Sequence, residues 1–146
     1  MNNNRNIILS AGTVCYYLPH HTLHKKNRQE KRFLLVHQKS GNFWGFPKGH
    51  IEANEIITHT AIRETFEETG INVTLIKGFQ EKISYIVHQQ EKEVVFFIAT
   101  TENDTLRIDR KEIITAGWFT YREAYQLLSF PQLQNVLTQA IAFITK

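Results

Sequence analysis

The residues of this chain best suited to chemistry are Glu64, Glu67 and Glu68, with Arg63 immediately before the first and another carboxylate, Glu55, further upstream. On a helix, positions three and four apart are neighbours on one face, with about 5–6 Å between Cβ atoms. Three carboxylates so placed repel one another and hold their protons more tightly unless a cation lies among them. Hard oxygen donors of this kind suit Mg²⁺, with Mn²⁺ as a substitute, and such ions in turn suit phosphate oxygens. Arg63 can steady one of the glutamates through a two-pronged hydrogen bond. A solvated, glutamate-rich helix face is the competing reading. Two features weigh against it. Acidic residues crowd the C-terminal turn, where the helix dipole disfavours them, and an unusual loop, Trp44-Gly45-Phe46-Pro47-Lys48-Gly49, leads into the helix.

These side chains need a helix and a scaffold to hold it. From Asn54 to Thr69 the positions Ile57, Ala61, Ile62, Thr65 and Phe66 follow the three-and-four spacing of an amphipathic helix. Asn54 is placed to cap its start and Gly70 to supply the left-handed residue after its end. Upstream, Ile7 to Leu18 alternates as a strand, Pro19 to Arg32 reads as a polar loop, Phe33 to His37 as a second strand and Ser40-Gly41-Asn42 as a turn. Downstream, Val73 to Gly78 predicts a short strand. Phe79 to Val87 and Glu93 to Thr101 predict a hairpin joined at His88–Lys92, and Asn103-Asp104 a loop. Ile113 to Phe119 is a further strand, Tyr121 to Leu128 a short helix ended by Pro131, and Gln132 to Ile144 a longer helix. This order predicts an α/β chain, an α/β/α sandwich around a mixed sheet.

A length of 146 residues predicts one domain over 1–146, and 42% hydrophobic residues can build its core. The net charge of +3 fits a polyanionic ligand but is too weak and dispersed for duplex nucleic acid. Single Cys15, in an apolar run, reads as a small buried core residue, and a lone cysteine points to a reducing, cytoplasmic setting. The polar start and the lack of a long apolar stretch argue against a signal peptide or a membrane span. His20, His21 and His24, with Lys25, Lys26 and Arg28, read as a solvated basic loop rather than a zinc site. Nothing sets the oligomeric state, and a monomer is the default expectation.

The pattern Gly49-x5-Glu55-x7-Arg63-Glu64-x2-Glu67-Glu68-x-Gly70, closed by Ile71, resembles the signature box of the Nudix hydrolases with every fixed position filled. At about one in twenty per position, seven such matches arise by chance about once per billion alignments. The resemblance implies the Nudix fold and hydrolysis of a phosphoanhydride with Mg²⁺. It adds the Gly49 carbonyl and Glu112 to the metal ligands Glu64, Glu67 and Glu68. The general base stays open among Glu68, Glu64 and Glu112. Glu55 would support the loop–helix junction, and Arg63 would orient a glutamate.

From roughly Ala11 to Ile144 the chain also resembles the asymmetric diadenosine tetraphosphate hydrolases, which release ATP and AMP. The carrying residues are the loop Trp44 to His50, the hairpin pair Tyr85 and Lys92, Glu112 with Trp118, and Phe130. By that resemblance Lys48 and Lys92 would neutralise phosphates, and Tyr85 and Phe130 would sandwich an adenine. Trp44 would be a loop anchor or a ligand contact, and Trp118 a core residue. The chain departs from these relatives at Phe43, where they often carry histidine, and at Phe46-Pro47, where they have two prolines; His37 or His50 could compensate for the missing imidazole. Two alternatives stay open. One is a pyrophosphohydrolase acting on 5′-triphosphorylated RNA or a nucleoside diphosphate derivative. The other is a nucleotide sensor that does not cleave, although such modules generally lose the box glutamates retained here.

Overall fold

The computed structural model describes residues 6–19 and 30–146; the expected basic loop around His20–Arg28 lies outside them. The described elements run β1 (Ile7–Tyr17), β2 (Arg32–Gln38), β3 (Phe43–Gly45), β4 (Lys48–His50), α1 (Ile57–Thr69), β5 (Thr74–Val87), β6 (Gln90–Thr100), β7 (Ile113–Phe119), α2 (Tyr121–Leu127) and α3 (Pro131–Ile144). The strands form a mixed sheet. β1 pairs parallel with β6 from Ile7↔Glu91 to Tyr16↔Thr100, and β6 pairs antiparallel with β5. β7 lies antiparallel along β2.

The other edge of β1 is shared. Near its end, among the described residues, it pairs with β2 over Tyr16↔Phe33 and Tyr17↔Arg32; near its start it pairs with β4 over Ser10↔His50 to Gly12↔Lys48. β2 meanwhile pairs with β3 over Val36↔Gly45 to Gln38↔Phe43. β1 and β2 therefore part, and the segment expected as an irregular loop, Trp44–Gly49, fills the wedge as two short strands, one zipped to each side. The chain crosses between them at Phe46 and Pro47, both buried. The Phe46 ring sits edge-on to Phe96 at 5.4 Å, and the Pro47 carbonyl accepts from the Thr13 N–H at 3.2 Å.

Alternation along β6 sorts the two faces of the sheet. Val94, Phe96 and Ile98 join Val14, Phe33, Leu35 and Phe46 under Leu133, Val136, Leu137 and Ala140 of α3. Val95 and Phe97 meet Ala11 and Ala61 of α1 on the opposite face. The chain is thus the expected α/β/α sandwich. Cys15 lies on the α1 side with Leu34, Ile71 and Ala99, fully buried, and burial pushes its thiol well above the usual range. A thiolate is the reactive form. Ellman's reagent should therefore titrate no thiol in the native protein and one thiol after denaturation; rapid native labelling would contradict this core position.

Several expected boundaries shift. α1 begins at Ile57, with Ile56 at the cap position and no side-chain cap, while Asn54 adopts a left-handed turn conformation at φ 64°. Its buried stripe is Thr60, Ala61, Thr65, Glu68 and Thr69, and Phe66 is exposed. The threonines tolerate burial because their hydroxyls are paired. Thr65 Oγ1 meets Thr13 Oγ1 at 2.8 Å and donates to the Ala61 carbonyl at 2.8 Å; Thr69 Oγ1 donates to the Thr65 carbonyl at 2.6 Å. The two pieces expected at Val73–Gly78 and Phe79–Val87 are one strand. A register shift between Ile76 and Glu81 absorbs the extra residues, so the strand does not end. The hairpin turn is His88 and Gln89 alone, with φ 49° and 64°, so Lys92 belongs to β6 and not to the turn. Pro131 opens α3 at its first turn rather than ending α2, where its missing N–H costs nothing. α2 starts with a capping box between Thr120 and Glu123.

Candidate active site

The threonine seam sets the rotation of α1 against β1 and turns Glu64 and Glu68 toward β4. Gly70 ends the helix at φ 76°, its N–H bonded to the Phe66 carbonyl at 2.7 Å. Glu64 occupies the space that a side chain at position 49 would fill: a Cβ on Gly49 would lie 2.1 Å from the Glu64 Cδ. Glu68, buried, accepts from the Lys48 N–H at 3.3 Å. The two carboxylates thus grip the β4 backbone from adjacent turns of the helix.

Arg63 organises the cluster differently from the expectation. Its two-pronged bond goes to Glu55, Nε to Oε2 at 2.7 Å and Nη2 to Oε1 at 2.9 Å, not to a carboxylate of the cluster. Glu55 also accepts from the Glu52 N–H and the Thr60 hydroxyl. Hydrogen bonding, Arg63 first, holds its carboxyl down to about 2. So anchored, Arg63 spends Nη1 on Glu64 at 2.8 Å and Glu67 at 3.1 Å, and Nη2 on the His50 carbonyl at 3.0 Å. Glu55 braces the junction, and Arg63 links it to the cluster.

The electrostatics draw the remaining residues to the same patch. Burial pushes the Glu68 carboxyl up to about 8, opposed by the Lys48 ammonium and N–H and reinforced by Glu64 and Glu112. Burial also raises Glu64, against Arg63. The Lys48 ammonium is lowered by its own burial, with Glu68 opposing and Lys92 adding to the shift. His50 is lowered by burial, then by Lys92 and Lys48. Glu112, exposed just before β7, acts on Lys48, His50, Glu64 and Glu68 alike. Its carbonyl accepts from the Lys39 N–H at 2.9 Å.

Among the described residues no three His, Cys, Asp or Glu side chains converge as a ready-made metal cage. Glu67, with 53% of its side chain exposed, leans on Arg63, and Glu112 sits out on its turn. The donors still fit a hard divalent cation. They are all oxygen, and Glu64 and Glu68 are shielded from water beside a glycine whose missing side chain leaves the β4 backbone open to them.

Tyr85 and Lys92 stand directly opposite one another on the β5–β6 ladder. They share the α3 side of the sheet, since Lys92 is two residues from Val94, and Tyr85 packs half-buried against the core there. Phe130 lies at the start of α3 with 48% exposure, its ring edge-on to Phe43 at 5.1 Å. The Gln132 side chain donates to the Ser84 carbonyl at 3.2 Å, tying this end of α3 to β5 beside Tyr85. Trp44 is an anchor, stacked on His37 at 5.0 Å and edge-on to Phe119 at 5.6 Å. His37 bonds Asn42 at 2.8 Å. Trp118 is half-buried, its indole N–H donating to the Asp104 carbonyl at 2.9 Å.

Two supports escaped the sequence reading. Gly12 lets β4 approach, since a Cβ there would meet the Pro47 carbonyl oxygen at 2.2 Å; its signal was a glycine inside a β-rich run. The Thr13–Thr65 bond carried no sequence signal, because the residues lie in separate elements.

A NUDIX domain matches residues 24–140 of the chain. The asymmetrical bis(5′-nucleosyl)-tetraphosphatase of Mus musculus is 32% identical over 129 residues, covering 85% of this chain and 88% of its own length. Among solved structures, a C. elegans Ap4A hydrolase binary complex superposes with a TM-score of 0.82 at 24% identity, covering 94% of this chain and 98% of that one. The NUDIX domain of Shewanella oneidensis NrtR complexed with ADP ribose superposes with a TM-score of 0.71 at 16% identity, covering 96% and 90%. No helix among the described residues is long and apolar enough to cross a membrane.

Proposed function

Because the chain belongs to the Nudix hydrolase family, we propose that its substrate is a dinucleoside polyphosphate, diadenosine tetraphosphate being split asymmetrically into ATP and AMP. The observation that carries this reading is the Tyr85–Lys92 ladder pair. A flat ring for a base and an ammonium for a phosphate are presented as one unit, on the strand pair whose Lys92 acts on Lys48 and His50 next to the carboxylates. The similarity to the mouse tetraphosphatase supports the same choice.

Glu64, Glu67 and Glu68, with the Gly49 carbonyl and Glu112, would hold Mg²⁺ or Mn²⁺, which when bound supplies charge to phosphate oxygens and acidifies water. The chain's own residues account for the rest. Lys48 and Lys92 neutralise phosphates beyond the carboxylates. Arg63 fixes the rotamers of Glu64 and Glu67 from its anchorage on Glu55. Tyr85 and Phe130 stack on a base, each such contact being worth about 1–3 kcal/mol in nucleic-acid systems. A water oxygen attacks phosphorus, the anhydride P–O bond breaks, and the water proton passes to a carboxylate. The candidates for that carboxylate are Glu68, Glu64 and Glu112, in that order.

Chromatography of products from a panel of diadenosine tetraphosphate, triphosphorylated RNA, nucleotide sugars and nucleoside triphosphates, each with Mg²⁺, tests the reading. ATP plus AMP, at the highest efficiency of the panel, is the expected result. Two ADP molecules would contradict the asymmetric cleavage. Preference for the RNA would move the substrate to its 5′ end, and binding without turnover of any member would make the chain a sensor.

A further inference from the structure

We infer that Phe43 is a positioning residue for Phe130, setting how that ring meets the base of the substrate. Phe130 is a large aromatic with nearly half its surface in solvent, at a helix start where no side chain caps the backbone. Among the described aromatics its ring partner is Phe43, whose ring meets it at 5.1 Å and 62°. That edge contact leaves Phe130 surface free for a ligand while restricting the tilt of the ring. The Phe43 ring is itself held in a slot. A Cβ at Gly41 would come within 3.1 Å of it and a Cβ at Gly45 within 3.0 Å, so glycines on both sides make room for an aromatic at this position. The same Gly45 Cβ would meet Leu133 of α3 at 3.4 Å, and Phe43 packs against the core shared with Leu133 and Tyr85. β3 thus carries the tilt of Phe130 as part of the wedge that also delivers Lys48.

The inference rests on the reading of Phe130 as a base-stacking ring, and a double-mutant cycle separates the two. The variants are Phe43→Leu, which keeps apolar bulk but loses the aromatic edge, Phe130→Ala, and the pair together. KM for diadenosine tetraphosphate and, without any need for turnover, the Kd of ATP by calorimetry are both read. Phe43→Leu should raise each by ~5–10-fold with kcat near wild type. It should add less than about twofold once Phe130 is already alanine, because a residue acting through another has nothing left to position. Phe43→Tyr, which keeps the ring, should restore both constants. Unchanged KM and Kd in Phe43→Leu, or the same fold-change with and without Phe130, overturns the inference. If wild type fails to cleave diadenosine tetraphosphate but the ATP cycle behaves as expected, the substrate reading falls and the positioning role stands.

Discussion

Glu68→Gln should lower kcat by about 10²–10⁴-fold, the range for loss of a positioned acid–base group, while the protein unfolds no earlier than wild type. The amide keeps an oxygen for the Lys48 N–H, which now bonds Glu68 Oε1 at 3.3 Å, and it removes a charge that burial opposes. The sign of the pH dependence follows. Burial lifts the Glu68 carboxyl to about 8, above its unfolded value, so this group disfavours the fold increasingly as pH rises from the ordinary carboxylate range toward about 8. In metal-free buffer the melting temperature of Glu68→Gln should therefore exceed that of wild type by a margin that grows across that window. Glu67→Gln should also lose activity by orders of magnitude, although Glu67 is the most exposed member of the trio. Near-wild-type turnover in both variants would remove the carboxylate cluster from the reaction. A collapsed melting curve for Glu68→Gln would mean that the charge holds the fold together instead.

Gly12→Ala should cost about 3 kcal/mol, at the upper end for overpacking a close contact. The added Cβ would lie 2.2 Å from the Pro47 carbonyl oxygen, 2.7 Å from the Lys48 Cβ and 3.0 Å from the Lys48 Cα. Backbone stands on both sides, and neither can retreat without opening the β1–β4 ladder from Ser10↔His50 to Gly12↔Lys48. Activity should fall along with stability, because that ladder places both Lys48 and Gly49. Urea denaturation measures the first effect. A loss below about 1 kcal/mol would mean that the wedge yields easily and that β4 is not clamped as described.

The chemistry of α1 was legible because charge offsets along a helix are local: Glu64, Glu67, Glu68 and the closing Gly70 follow from spacing alone. The helix start was not, because Asn54 is a good capping residue that instead serves a tight turn, where its tolerance of positive φ is used. The exposure of Phe66 and the burial of Thr60 and Thr69 also ran against pattern, whereas Thr65 took its expected place on the buried stripe. Hydrophobicity marks which residues prefer burial, but the hydroxyls found partners on β1 and on their own helix. β3 and β4 are three residues each, too short to show alternation. The Tyr85–Lys92 pairing depended on a tight turn made by His88 and Gln89, which carry no glycine or asparagine signal for positive φ. The order of strands and helices showed the fold class, whereas pairing register decided which residues meet at the site.

The parallel ladder between β1 and β6 has a consequence for how the chain acquires its shape. Ile7 faces Glu91, and everything from β2 through β5 is threaded between them. Such contacts of long sequence separation form slowly, because the loop must close before any of the pairing is gained. During synthesis the first strand leaves the ribosome long before its main partner exists, with Val14 and Cys15 still uncovered. The signature helix can form early, since its bonds are local. Lys92 reaches Lys48 only when the sixth strand docks. In a refolding protein, helical signal should therefore return ahead of hydrolysis, with the Lys92 side of the site assembling last.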